Sequence, residues 1–195
     1  MREATIKVYS FTELPDEIQQ KVIKVFRDYH VEIDNWHEPV TEIFTEKLEK
    51  LSYTETKTYF SGFWSQGDGA CFEGKVYLLN WLKAHKKLSQ FKNLVTYLKE
   101  QGDDYLTIKQ TGHYYHSRSM AVVDEVHTET QKQSDELSQV IELIEAEIEE
   151  VSDEYYKDLE NYYNELTSDE AVKEALIDND YEFRANGELW TGEKV

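Results

Sequence analysis

Cys71 and His113 are the first residues to weigh, because a thiol is a nucleophile only when a neighbouring base or charge holds it as thiolate. The chain has one cysteine and six histidines. Around that cysteine runs Phe60-Ser61-Gly62-Phe63-Trp64-Ser65-Gln66-Gly67-Asp68-Gly69-Ala70-Cys71-Phe72, in which two glycines flank an aspartate. Such glycines permit positive φ and close backbone approach. Exposed amides there suit an anion, with Gln66, Asp68, His113 and His116 as candidate ligand contacts. The same residue types also build a tight hairpin turn in which Asp68 satisfies local N–H groups. His113 and His116 are three apart, on opposite faces of an extended segment, so they do not chelate together unless a turn reorients them. With no HExxH, CxxC, EF-hand, Walker or Rossmann pattern in the sequence, neither a metal nor a cofactor is expected.

Carboxylates are the other chemistry on offer. The chain carries 40 acidic and 21 basic residues, a formal charge of −19. Residues 131–170 hold 14 acidic residues against Lys132 and Lys157, a net of −12, whereas residues 81–118 carry a net of +4. Glu142, Glu145 and Glu149 recur at helical spacing, where like charges destabilise a helix by tenths of a kcal/mol each, on the order of 0.2–0.5. With Asp153 and Glu160 they form a spaced row suited to a basic protein surface. The bland alternative is a solvated helix face. The overall charge argues against direct binding of nucleic acid or an anionic membrane, since phosphate contacts need Lys and Arg.

These groups need elements to position them. The 195 residues, 39% hydrophobic and 13% aromatic, suffice for one folded domain over 1–195. Residues 4–9 alternate as a short strand, and Pro15-Asp16-Glu17 opens a helix carrying Ile18, Val22, Val25, Phe26 and Tyr29 on one face. A second helix begins near Glu38-Pro39 with Val40, Ile43, Phe44, Leu48 and Leu51. Strands at 53–62 and 70–79 enclose the glycine-rich loop, and one helix is expected from about 80 to 101, stopped by Gly102. Strands at 104–112 and 117–127 follow, turning around Gly112-His113-Tyr114-Tyr115-His116.

From about 134 to 166, Leu137, Ile141, Ile144, Ile148, Val151, Tyr155, Leu159, Tyr162 and Leu166 advance by three or four, which predicts one long acidic amphipathic helix. A helix at 168–177 and a hairpin at about 181–190, turning at Asn186-Gly187, close the chain. The order gives an α+β fold, antiparallel hairpin-linked strands with helices packed to one side. One cysteine, a polar N-terminus and no apolar run near 18 residues predict a reduced, cytoplasmic protein with no membrane segment.

Two resemblances bear on activity. Tyr9-Ser10-Phe11-Thr12-Glu13-Leu14, the stretch from Phe60 to Phe72, and Tyr181-Glu182-Phe183 with Asn186-Gly187 together resemble a family of small bacteriophage and prophage proteins. Some of its members are labelled antitoxin-like. This resemblance implies a phage setting inside a host cell and supplies no active site. Separately, Asp68-Gly69-Ala70-Cys71-Phe72 is similar to the Asp-Gly-x-Cys segment of ovarian-tumour-type cysteine proteases, with His113-Tyr114 as a later His-aromatic element. Those enzymes set the nucleophile at a helix start, whereas Cys71 leads into Glu73-Gly74-Lys75 in a predicted strand.

The reading that follows is a non-enzymatic phage protein that binds and inhibits a host defence or nucleic-acid-handling protein through Glu142, Glu145, Glu149, Asp153 and Glu160, with mimicry of nucleic-acid charge as one route. One alternative is a ligand-binding protein or Cys/His hydrolase using the 65–71 loop, with Cys71 and His113 catalytic. Another is an antitoxin that neutralises a basic toxin. A homodimer through the long helix is compatible with the same apolar stripe.

Overall fold

The computed structural model describes residues 6–32, 35–102 and 104–192. In chain order the elements are β1 (Tyr9–Ser10), α1 (Asp16–Val25), α2 (Glu38–Lys50), β2 (Tyr53–Phe60), β3 (Ala70–Tyr77), α3 (Leu78–Ala84) and α4 (Lys92–Gln101). Then come β4 (Tyr105–Gln110), β5 (Met120–Val123), α5 (Gln131–Leu166), α6 (Asp169–Asp178) and β6 (Glu182–Phe183). This is an α+β fold with antiparallel sheets and a long acidic helix, as the residue pattern predicts. The chain divides into two compact units, Glu38–Glu160, and Met1–His37 with Asn161–Val195.

The unit Glu38–Glu160 is built on a four-stranded antiparallel sheet in the order β2-β3-β4-β5. Successive residues of a strand point to opposite faces. Phe72 and Val76 of β3 and Leu106 and Ile108 of β4 therefore face one way, and all four are fully buried. Helices cover this face: Phe44 of α2 meets Phe72 edge-on at 6.0 Å and stacks on Tyr155 of α5 at 4.1 Å. Leu137, Val140, Ile144, Ile148, Val151 and Leu159 continue the α5 stripe into this core. The other sheet face presents Lys57, Tyr59, Glu73, Lys75, Tyr105 and Lys109.

The long helix starts at Gln131, three residues before the pattern suggests. Thr130 Oγ1 accepts from the Gln133 N–H at 3.3 Å, and Gln133 Oε1 accepts from the Thr130 N–H at 2.9 Å. This reciprocal pair is a capping box, which satisfies N–H groups that the first helical turn leaves unbonded. At 36 residues α5 is about 54 Å long.

The helix expected over 80–101 is two helices. α3 ends at Ala84, and His85–Phe91 is not helical. Lys86 adopts φ +55, the Lys86 N–H bonds Lys83 O at 3.1 Å, and the Lys87 N–H bonds Leu82 O at 2.8 Å. That bonding pattern closes a helix C-terminus around a left-handed residue, normally glycine. A lysine there conceals the stop, because its aliphatic neighbours keep the helical spacing. Gly102, with φ +111, ends α4 as predicted.

In the unit formed by Met1–His37 and Asn161–Val195, β1 pairs antiparallel with β6, Tyr9 opposite Phe183. Phe11, Leu14, Val22, Ile23, Val172, Leu176 and Phe183 form its core. Arg27 ties the two chain ends together: Nη1 donates to Thr167 O at 2.9 Å and Nη2 to Asp169 Oδ1 at 2.6 Å. Of the strand expected over 4–9, residues 4 and 5 lie outside the described residues, residues 6–8 are not strand, and pairing begins at Tyr9. The predicted C-terminal hairpin survives as one bridge, Phe183 to Leu189, around the Gly187 turn.

Two residues placed on apolar helix faces are instead exposed: Val25 at 74% and Ile43 at 69%. The buried face of α1 centres on Val22, Ile23 and Phe26, and that of α2 on Phe44 and Leu48. At 100° per residue, Val25 and Ile43 stand about 100° from those centres. No helix among the described residues is long and apolar enough to cross a membrane.

Candidate functional site

The glycine-rich loop, residues 61–69, is held by its own polar groups. The Ser61 N–H donates to Gly69 O at 3.0 Å, and the Gly69 N–H returns to Ser61 Oγ at 3.1 Å. Asp68 Oδ2 accepts from the N–H groups of Trp64 at 3.0 Å and Ser65 at 2.7 Å. The aspartate thus organises the turn. Gln66 beside it is exposed.

The two flanking glycines have separate jobs. Gly67 takes φ +96, and a Cβ on it would lie 3.1 Å from the Tyr114 ring. A Cβ on Gly69 would lie 2.7 Å from Tyr115 O and 3.0 Å from His116 Cα. Backbone and ring of the 111–119 loop therefore rest directly on the 61–69 loop, which any larger residue at position 69 would prevent. This juxtaposition brings Gln66 and Asp68 to the same end of the sheet as His113 and His116.

The two histidines differ in what they do there. His116 Nδ1 accepts from the Arg118 N–H at 3.1 Å, fixing the short turn at Ser117–Ser119. His113 is exposed on the loop. Among the described residues, no group of three or more His, Cys, Asp or Glu side chains is placed to hold a metal ion.

Cys71 is not placed for nucleophilic chemistry. It is fully buried in β3, opposite Tyr59. Burial, reinforced by the Glu73 carboxylate, pushes its thiol up to about 11, the reverse of what a thiolate nucleophile needs. The part of His116 that bonds it is backbone, not imidazole. Its strand position explains this: the 111–119 loop folds over that end of the outer sheet face and seals the thiol beneath Tyr115 and His116.

The carboxylate row lies beside these loops. Glu142, Glu145 and Asp153 are exposed on α5, and Glu160 is half-buried. Glu149, in the same row, accepts from Arg118 Nε at 2.8 Å, joining α5 to the 111–119 loop. Tyr156 joins it to the other loop: its hydroxyl donates to Gly62 O at 3.0 Å and its ring packs on Phe63 at 5.5 Å. Burial raises the Tyr156 hydroxyl, and the charges of Asp68 and Glu160 raise it further. The two residue sets read separately from the sequence therefore share one surface. Trp64, 75% exposed, and Tyr114, 64% exposed, stand on its loops.

Other carboxylates of α5 bond to neighbouring elements. Glu147 Oε2 accepts from Tyr53 Oη at 2.6 Å and Trp81 Nε1 at 2.8 Å, while Oε1 lies 2.6 Å from His85 Nε2. His85 Nδ1 lies 2.8 Å from Trp81 O, so both ring nitrogens face oxygen atoms. Burial drives the Tyr53 hydroxyl strongly upward, with the Glu147 charge adding to it, so Tyr53 stays a donor. Glu136 accepts from the Leu94 N–H at 2.8 Å, at the start of α4, and Glu154 pairs with Lys47 of α2.

Acidic composition hides Glu147 among its solvated neighbours. Its spacing gives it away, seven residues after Val140 and four before Val151, on the apolar face. No curated protein and no solved structure matches the chain. Residues 29–169 match the family model described as a domain of unknown function, DUF8835, and the chain belongs to that family.

Proposed function

We propose that the protein is a phage-encoded, non-enzymatic interaction protein that docks on a basic surface of a host protein and inhibits it. The observation that carries this reading is the composite surface on Glu38–Glu160, where the α5 carboxylate row runs beside loops bearing exposed Trp64 and Tyr114. Aromatic anchors beside charged groups are a common composition for binding hot spots. From Glu142 to Glu160 the row spans about 27 Å of helix. A basic groove that accommodates phosphates along a strand is the matching surface, so the partner handles nucleic acid and the row competes for the same cations.

Support for a non-enzymatic role comes from the same residues. Asp68 is occupied by loop N–H groups, His116 by the turn, and Cys71 is sealed as a thiol. Glu142, Glu145 and Asp153 are the residues to reverse, because among the described residues their exposed side chains hold no hydrogen bond or ion pair, unlike Glu147 and Glu149.

The test is capture from host lysate by tagged wild type and by the E142K/E145K/D153K variant. The captured protein is then identified and its affinity measured at about 0.05 and 0.5 M NaCl. The expected result is a basic partner whose affinity falls with salt and falls at least about tenfold in the variant. A partner bound equally by both proteins, with no salt dependence, overturns the reading.

A further inference from the structure

The carboxylate row of α5 is occupied at its centre by a cation of the same chain. At about 100° per residue, Glu142, Glu145, Glu149, Asp153 and Glu160 fall within about 80° of one another around the helix. Glu149 lies between Glu145 and Asp153, each one turn or about 6 Å away along the axis. Its carboxylate accepts from Arg118 Nε at 2.8 Å. Among the described residues no other cation pairs with the row, and Lys157, close to the same sector, holds no ion pair.

The 111–119 loop aims that guanidinium. His116 Nδ1 accepts from the Arg118 N–H at 3.1 Å, and Ser119 Oγ accepts from the His116 N–H at 3.1 Å. The turn fixes the backbone at Arg118, whereas the ion pair itself is open to solvent, with side chains 79% and 44% exposed. Only Nε is bonded, and among the described residues neither Nη atom has a partner. Water screens so exposed a pair, and exchanging one cation for another there costs little. A guanidinium that offers two parallel N–H groups to the carboxylate binds it better than this single contact does.

We propose that Arg118 is an intramolecular competitor for the row, an autoinhibitory contact that the partner displaces by setting an arginine of its own on Glu149. This rests on the docking reading above and adds the regulation of that surface. Glu149 has carboxylates on both sides, which is where a cation is held most strongly. The occupant is an arginine because its planar fork matches a carboxylate and an ammonium does not. Until it is displaced, Arg118 cancels charge at the middle of the row.

A purely structural role for Arg118 predicts the opposite sign. If the ion pair serves to hold the 111–119 loop against α5, its loss releases Tyr114 and weakens binding. If it serves competition, its loss uncovers Glu149 and tightens binding.

Fluorescence anisotropy of a labelled, end-blocked hexa-arginine peptide with the full chain at about 0.05 M NaCl reads that sign. Arg118→Ala is expected to tighten binding at least about threefold. Lys83→Ala removes the same charge from an exposed residue of α3, which contacts α5 through Glu147, about 160° round the helix from Glu149. It is expected to change binding by less than about 1.5-fold. Combined with Glu149→Gln, Arg118→Ala is expected to add nothing, because no carboxylate is left to uncover.

A loss of affinity, a gain no larger than that of Lys83→Ala, or a gain that persists alongside Glu149→Gln overturns the proposal. Binding that E142K/E145K/D153K abolishes and Arg118→Ala leaves unchanged overturns the competition alone, and the docking surface stands. Binding that the triple variant leaves unchanged, or no binding at all, overturns both.

Discussion

Glu147 shows how much one residue's surroundings decide. Its sequence neighbours Glu145, Glu149 and Glu150 are acidic too, yet it alone accepts from Tyr53, Trp81 and His85. A carboxylate with charge-assisted bonds to three donors offsets its own desolvation, and those donors lose their acceptor if it is removed. Glu147→Ala is therefore expected to destabilise the fold by about 3 kcal/mol, against a few tenths for Glu145→Ala, as read from urea unfolding midpoints. Equal costs for the two would mean the network contributes nothing. Charge counting alone does not distinguish these glutamates. The distinction is legible only where periodicity and residue type disagree, at a polar residue on an apolar stripe. Likewise the Gly-Asp-Gly run correctly signals a turn, but which loop packs on it depends on contacts from 111–119 that no local spacing encodes.

At the scale of elements, the long-range pattern is the most legible and the breaks the least. The 36-residue α5 and the β2–β3 hairpin follow from periods of 3.6 and 2, because many residues repeat the same signal. The interruption at His85–Phe91 rests on one residue in the left-handed region, Lys86, and lysine gives no warning of it. Lys86→Gly is expected to raise stability by about 0.5–1 kcal/mol, since glycine occupies positive φ without the Cβ penalty of other residues. An unchanged or lower urea midpoint would show that Lys86 contributes a compensating contact. β1 and β6 carry little sequence signal for a related reason: strands of two residues are too short to display alternation, and the two lie far apart in the sequence.

On the scale of the whole molecule, the two units differ in how the chain makes them. Glu38–Glu160 is one continuous segment holding the four-stranded sheet, its helical cover and the Glu147 network. A fragment of residues 38–160 is expected to unfold cooperatively in urea, with Glu147→Ala as costly in it as in the full chain. Gradual, non-cooperative unfolding of the fragment would contradict this. The other unit has no such continuity, because Tyr9 pairs with Phe183. Synthesis on the ribosome is vectorial, so Phe11, Leu14, Val22 and Ile23 emerge early and wait for Val172, Leu176 and Phe183. At roughly 5–20 residues per second that interval is about 10–35 s. Throughout it, apolar residues that emerge ahead of the Glu38–Glu160 segment find their partners only after that segment is made, which makes this nascent stretch a natural client for a holding chaperone.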